Sequence, residues 1–355
     1  MKKNWIIITA IAMIAFSSCK EQKHGGRRDA ELNKIDSTDQ TNNFYDNVDS
    51  QTLPIKDITI EGEVAKTGKV DFSKLQKHTV IVKEAKIEGD SNKFIGSYRY
   101  DGYSLFDILN EYIPKKLNQK EFNPIIDLYV EIENDRGEKV VISWGEIYYP
   151  SHLNEIIIAT NVRRIVPSKT KELWPLPTDS KLVVSSDLLT ERNISNPVKI
   201  SVKSYPRSIK ATKDMKPCFS PKMEILVNDS LVKTMDQNPK DLTEQTYNTI
   251  FYGRGKGIHS TTPFKGVLLK EVLSPFTSFN KEMLKTGLIV IVGVDGYRCV
   301  YTFSEMMNRN DQAEILLVCN KKATDKGIFK AFPACDFFSD RAVKAISKIY
   351  IEQAK

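Results

Sequence analysis

The sequence predicts an α+β chain made of two tandem copies of one mixed-sheet domain, and three observations predict it. One hairpin plan occurs twice. In residues 128–147 a strand reaches Asp135-Arg136-Gly137, a second strand follows, and Trp144 and Glu146 come next. In residues 287–306 an apolar run reaches Asp295-Gly296, Cys299, Tyr301 and Phe303 alternate away from it, and Glu305 follows. Turns of this composition accept the positive φ that a tight connection between antiparallel strands needs. Next, a short helix precedes each hairpin. Tyr100-Asp101-Gly102 leads to Leu105, Ile108, Leu109 and Tyr112, and Phe264-Lys265-Gly266 leads to Leu269, Val272, Leu273 and Phe276. The i, i+3, i+4, i+7 spacing gives each segment one apolar stripe. Finally, further blocks recur in the same order: 155–159 with 314–318, 187–192 with 336–341, and closing strands at 198–202 and 348–351. Strands outnumber helices, and the helices are short, which places the chain among α+β proteins with mixed or antiparallel sheet.

Taken in order, the chain opens with Lys2 and Lys3, an apolar run over 5–16, and Ser17-Ser18-Cys19. The run is too short for a permanent bilayer span and has the charged start, apolar middle and small-residue end of an export signal. A cysteine directly after the small residues resembles a bacterial lipoprotein signal, so 1–18 is expected to be removed and Cys19 acylated. Residues 19–55 are polar and without apolar periodicity; as a flexible tether they would reach about 30 Å on average from the lipid. The first copy spans 56–203. It contains a glycine-interrupted strand at 58–64, a second strand at 79–82, and the proline-stiffened crossing Trp174-Pro175-Leu176-Pro177. A Pro-, Lys- and Ser-rich linker covers 204–220, and the second copy spans 221–355.

Net charge is +7, two units of it on Lys2 and Lys3, with the remainder spread over both copies. Such a mild, dispersed excess specifies no nucleic-acid partner. The expected surroundings are a bacterial cell envelope, with the membrane reached through Cys19 and an envelope protein as neighbour.

The segments 264–273, 294–297 and 341–351, with weaker versions in the first copy, resemble the molybdopterin-binding domain of the sulfite-oxidase family. The resemblance implies tandem copies of that compact mixed α/β fold and a pocket for a molybdenum pyranopterin. Catalytic members of the family ligate the metal through a cysteine in the loop before the aromatic-x-Gly segment, where a soft anionic sulfur suits the oxidised metal. Here the corresponding intervals, 83–98 and 252–263, contain no cysteine. The resemblance therefore implies a degenerate member that binds a ligand or serves as a scaffold. A molybdopterin-dependent oxidoreductase without the usual cysteine and a structural envelope module are the alternatives.

In the second copy the cysteine-free interval reads Gly253-Arg254-Gly255-Lys256-Gly257-Ile258-His259-Ser260-Thr261-Thr262. Three glycines let successive N–H groups converge on an anion, while Arg254, Lys256 and His259 add donors and charge. This loop is the candidate site for a small anionic ligand or a pterin phosphate, although such loops are also ordinary turns. Arg163 and Arg164, at a strand end, are a weaker oxyanion clamp. Arg192 and Arg341 recur beside Asp187 and Asp336 and read as one fold-stabilising ion pair per copy. His78, His152 and His259 stand singly, without metal-ligand spacing. Of the other cysteines, Cys218 and Cys335 could meet in a disulfide, whereas Cys299 and Cys319 lie in apolar strands as small buried thiols; connectivity stays open.

Overall fold

The computed structural model describes residues 49–354 apart from Ser168 and Asp325. The 1–18 signal, Cys19 and most of the 19–55 tether lie outside the described residues. Among the described residues no helix is long and apolar enough to cross a membrane.

The first half runs β1 (Gln51–Thr52), β2 (Thr59–Gly62), β3 (Gly68–Lys69), β4 (Lys77–Glu88), β5 (Ser91–Ser104) and helix α1 (Leu105–Asn110). It continues with β6 (Leu128–Asn134), β7 (Lys139–Ser143), α2 (Trp144–Tyr148), β8 (Ile156–Arg164), β9 (Lys181–Val184) and β10 (Pro197–Ser204). The second half holds β11 (Met223–Val227), β12 (Ser230–Met235), β13 (Gln245–Tyr247), β14 (Phe251–Gly253), β15 (Gly257–Ser260), β16 (Phe264–Leu268) and α3 (Leu269–Leu273). Then come α4 (Lys281–Thr286), β17 (Gly287–Gly293), β18 (Arg298–Thr302), α5 (Phe303–Met307), β19 (Ile315–Cys319), β20 (Phe329–Pro333) and β21 (Ile346–Gln353).

This architecture overturns the expected α+β class and the tandem sulfite-oxidase-like fold. The chain is mostly β, 43% strand against 13% helix, and its small sheets form a ring like that of a four-bladed propeller. The physical reason lies in helix length. Helices of five or six residues make about one and a half turns, enough to cap a hairpin but not to form a layer. Sheets must then cover sheets. Two stretches expected as loops are strands as well: 83–98 lies within the long β4–β5 hairpin, and β14 and β15 occupy most of 252–263.

The two halves share strand order. In the first, β2 runs parallel to β10, β10 antiparallel to β6, and β6 antiparallel to β7. In the second, β11, β21, β17 and β18 repeat those relations. The β5–β8–β9 arrangement is likewise matched by β16–β19–β20. Even the close approaches correspond: a Cβ on Gly102 would strike the Ile158 carbonyl, and one on Gly266 the Leu317 carbonyl. The turn glycines Gly137 and Gly296 have φ of 79° and 78°. One apolar core fills each half, around Ile60, Val130 and Ile158 in the first and Ile289, Tyr301 and Leu317 in the second. A third cluster, with Tyr129 and Val141 against Val290 and Val300, joins the equivalent five-stranded sheets.

Where the halves meet, two buried ion triads face each other. Arg192 makes paired bonds to Asp187 (2.6 and 2.8 Å) and to Glu146 (2.6 and 2.8 Å). Arg341 bonds Asp336 at 2.6 and 2.7 Å and Glu305 at 2.5 Å. Glu146 and Glu305 occupy the third helical positions of α2 and α5, whose first turns are capped by Ser143 and Thr302. Each capping hydroxyl then donates across the interface, Ser143 to Glu305 (2.7 Å) and Thr302 to Glu146 (3.2 Å). Burial opposes charge on both glutamates. At Glu146 the Arg192 guanidinium prevails and holds the carboxyl below its usual range. At Glu305 burial, reinforced by the Glu146 charge, prevails over Arg341 and pushes it up.

The boundaries are also tighter than the sequence suggests. β1 pairs with β8 and Leu53 is buried, so part of the expected tether belongs to the fold. Within the expected linker the buried Tyr205 donates to Glu352 at 2.8 Å, and Thr212 N–H donates to the Asp295 carbonyl at 2.7 Å.

Candidate functional site

The glycine-rich stretch is a β-hairpin. Gly253 and Gly257 oppose each other in the ladder, leaving Arg254, Gly255 and Lys256 as its exposed tip. A Cβ on Gly253 would meet the end of the exposed His259 side chain, which packs beside the Phe251 ring at 5.5 Å between centroids. Gly257 carries the positive φ, +70°. Arg254 is already committed: its Nη2 and Nε lie 2.8 and 3.1 Å from one Asp340 oxygen, and its guanidinium stands 5.7 Å from the Tyr149 ring. The bond to Asp340 raises its pKa further. Of these residues, His259 lines a cleft.

That cleft, about 270 Å³, lies between the hairpin, the Asp295-Gly296 turn and the segment 339–344. His259, Tyr297, Lys326, Asp340, Lys344 and Cys218 line it, with Phe251 and Asp295. Tyr297 O–H donates to the Asp340 carbonyl at 2.7 Å, and burial raises its pKa. Asp295 accepts from the Tyr297 N–H at 3.0 Å, a turn bond. Lys326 and Ala345 both adopt left-handed backbone, φ 64° and 47°, joined by the Ala345 N–H donating to the Lys326 carbonyl at 2.6 Å. Non-glycine residues held in this conformation cost free energy and concentrate at ligand sites. Here the two turns bring Lys326 and Lys344 to one rim.

Beside the cleft stands Lys330 on the edge strand β20. Its Nζ is 4.0 Å from the Phe251 ring and 4.3 Å from the Phe264 ring, and Phe264 stacks on Phe332 at 4.1 Å. Burial first, then the charges of Lys344 and Lys326, lower its pKa to about 7. The ring faces attract an ammonium and work the other way. Sequence reading missed these lysines because 326, 330 and 344 share no motif. One signal was present: Lys181 and Lys330 stand at the same distance before Asp187 and Asp336.

Other candidates separate. Arg163 and Arg164 are consecutive on β8, so their side chains leave opposite faces of the sheet, and Arg164 Nε donates to the Trp174 carbonyl at 2.5 Å. They form no clamp. His78 meets Asp107 at 2.7 Å. Cys218, Cys299, Cys319 and Cys335 are all thiols rather than disulfides, and burial raises the pKa of Cys299 and Cys335. Among the described residues no group of three His, Cys, Asp or Glu converges to hold a metal ion. The residues present do not fit a molybdenum pyranopterin. Both intervals that would supply the thiolate are cysteine-free hairpins, and the single thiol on the cleft, Cys218, comes from the segment between the halves.

No protein-family model matches the chain, and no curated protein resembles it at a significant level.

Proposed function

We propose that this chain is an exported, lipid-anchored envelope protein whose second half binds a small anionic molecule in the cleft below the β14–β15 hairpin, without catalysing redox chemistry. The observation that carries the reading is the convergence of Lys326 and Lys344 on one small, partly aromatic cleft, with Lys330 behind its Phe251 wall. Of the two carboxylates on the cleft, Asp340 is paired with Arg254 and Asp295 accepts from the Tyr297 N–H. A volume of about 270 Å³ lies at the lower edge of the roughly 300–1,000 Å³ common for ligand pockets, which suits a molecule of few heavy atoms. The tether and Cys19 would keep such a site near a membrane partner.

Calorimetric titration of the mature chain with phosphate and with benzoate tests the binding. At least one should bind with micromolar to millimolar affinity, weakened by Lys326→Ala; binding of neither anion would sink the proposal. Metabolic labelling with a radioactive fatty acid tests the anchor, and label that persists in Cys19→Ser would count against it.

A further inference from the structure

The repeat supplies an internal control for the cleft. Lys181 and Lys330 are equivalent by register, since Lys181 pairs with Ala159 of β8 and Lys330 with Val318 of β19. Each lies over the equivalent ring, Tyr100 at 5.9 Å and Phe264 at 4.3 Å. Their counter-charges differ. Lys181 Nζ bonds both oxygens of Glu84, at 2.7 and 2.6 Å, and that carboxylate also accepts from the Tyr100 hydroxyl at 2.9 Å. Lys330 Nζ has no carboxylate and no hydrogen bond among the described residues.

The strands show what replaced it. Val80 lies opposite Tyr100, and Tyr247 opposite Phe264. Four residues further on stand Glu84, still within β4, and Phe251, where β14 leaves the β13–β16 sheet to pair with β15. Lys330 meets the Phe251 ring where Lys181 meets a carboxylate, and Phe264 stands where Tyr100 does.

We propose that the second half takes up a small carboxylate from solution, which enters the cleft beside the Phe251 ring and gives Lys330 the counter-charge that Glu84 gives Lys181 in the first half. This rests on the anion-binding reading above and names its ligand class. A buried ammonium attracts a carboxylate more strongly than an exposed one does. Aromatic faces can share the cation but carry no net charge, so they leave Lys330 without a counter-ion among the described residues. The ligand's carboxylate supplies that charge. Its body meets Phe251 and Tyr297 on the cleft wall, which favours a flat apolar group over a polyol or a second charge.

The test is calorimetric titration of the mature chain with benzoate and with phosphate at pH 6.5, with melting temperatures read in parallel. Benzoate should bind the parent protein. Lys330→Met should weaken it about ten-fold or more, and Lys330→Arg should retain it. Phe251→Glu, which rebuilds the first-half ion pair, should abolish benzoate binding and raise the melting temperature of the unliganded protein. Undiminished benzoate binding by Lys330→Met or by Phe251→Glu would overturn the assignment. Phosphate binding without benzoate binding leaves the anion cleft standing and removes the carboxylate; binding of neither removes both.

Discussion

Two lysines at one structural address behave differently. In the first half Lys181 is buried against Glu84, Tyr100 and Asn193, a closed polar set in which charges and donors are matched. In the second, Lys330 sits among phenyl rings with Lys326 and Lys344 as its charged neighbours. The strands that carry both lysines and the rings beneath them are equivalent, β5–β8–β9 in the first half and β16–β19–β20 in the second, so the difference lies in what faces them. It comes from two side chains, Phe251 and Phe264, standing in for Glu84 and Tyr100. A repeated fold can thus keep a site sealed in one copy and leave the same site unbalanced in the other, which is what a binding function requires.

The comparison can be broken or sharpened by substitution, beginning with the strongest shared feature. Arg192→Met and Arg341→Met should each cost about 3–5 kcal/mol, because each strands two buried carboxylates. Urea midpoints would measure both, and a small loss at one site alone would break the equivalence of the halves. Glu84→Gln should cost about 2–3 kcal/mol by depriving Lys181 of its counter-charge. Gly102→Ala and Gly266→Ala should cost about 1–3 kcal/mol apiece, since both added methyls press on a partner-strand carbonyl. Clearly unequal losses would show that one strand pair can shift where the other cannot.

The smallest effect is the most specific to the second half. The pKa of Lys330 falls from 10.5 to about 7 on folding, so between those values the unfolded chain binds more protons and stability rises with pH. Below pH 7 the cost of burying the ammonium is fully present. Lys330→Met should therefore stabilise the protein by roughly 1 kcal/mol at pH 6, with the gain fading toward pH 10.5. Melting curves at several pH values would show this. A gain that does not vary with pH would mean that Lys330 stays charged throughout.

Much of the repeat was legible because turn chemistry is local. Gly137 and Gly296 mark their hairpins by themselves, and Gly102 and Gly266 announce close strand approaches. The class was misread for an equally local reason. β4 alternates Lys and Glu with apolar residues, and only one face of such a strand is buried, so its charges read as loop. β14 and β15 hid behind glycines. The candidate site suffered most: counting glycines and basic residues in one stretch pointed to Arg254 and Lys256, which form a hairpin tip. The cleft lysines come from segments far apart in sequence, and only the pairing of β19 with β20 and the two left-handed turns bring them together. The ion triads were partly readable from Asp187–Arg192 and Asp336–Arg341, but their glutamates become partners only once α2 and α5 meet.

The crossed bonds from Ser143 to Glu305 and from Thr302 to Glu146 bear on how the molecule could come apart. A half released from its sibling would expose an apolar sheet face and lose a hydroxyl donor to a glutamate meant for the interior. Loosening of one half is thereby communicated to the other, and the chain should melt in a single step, like an arch whose sides stand only by leaning together.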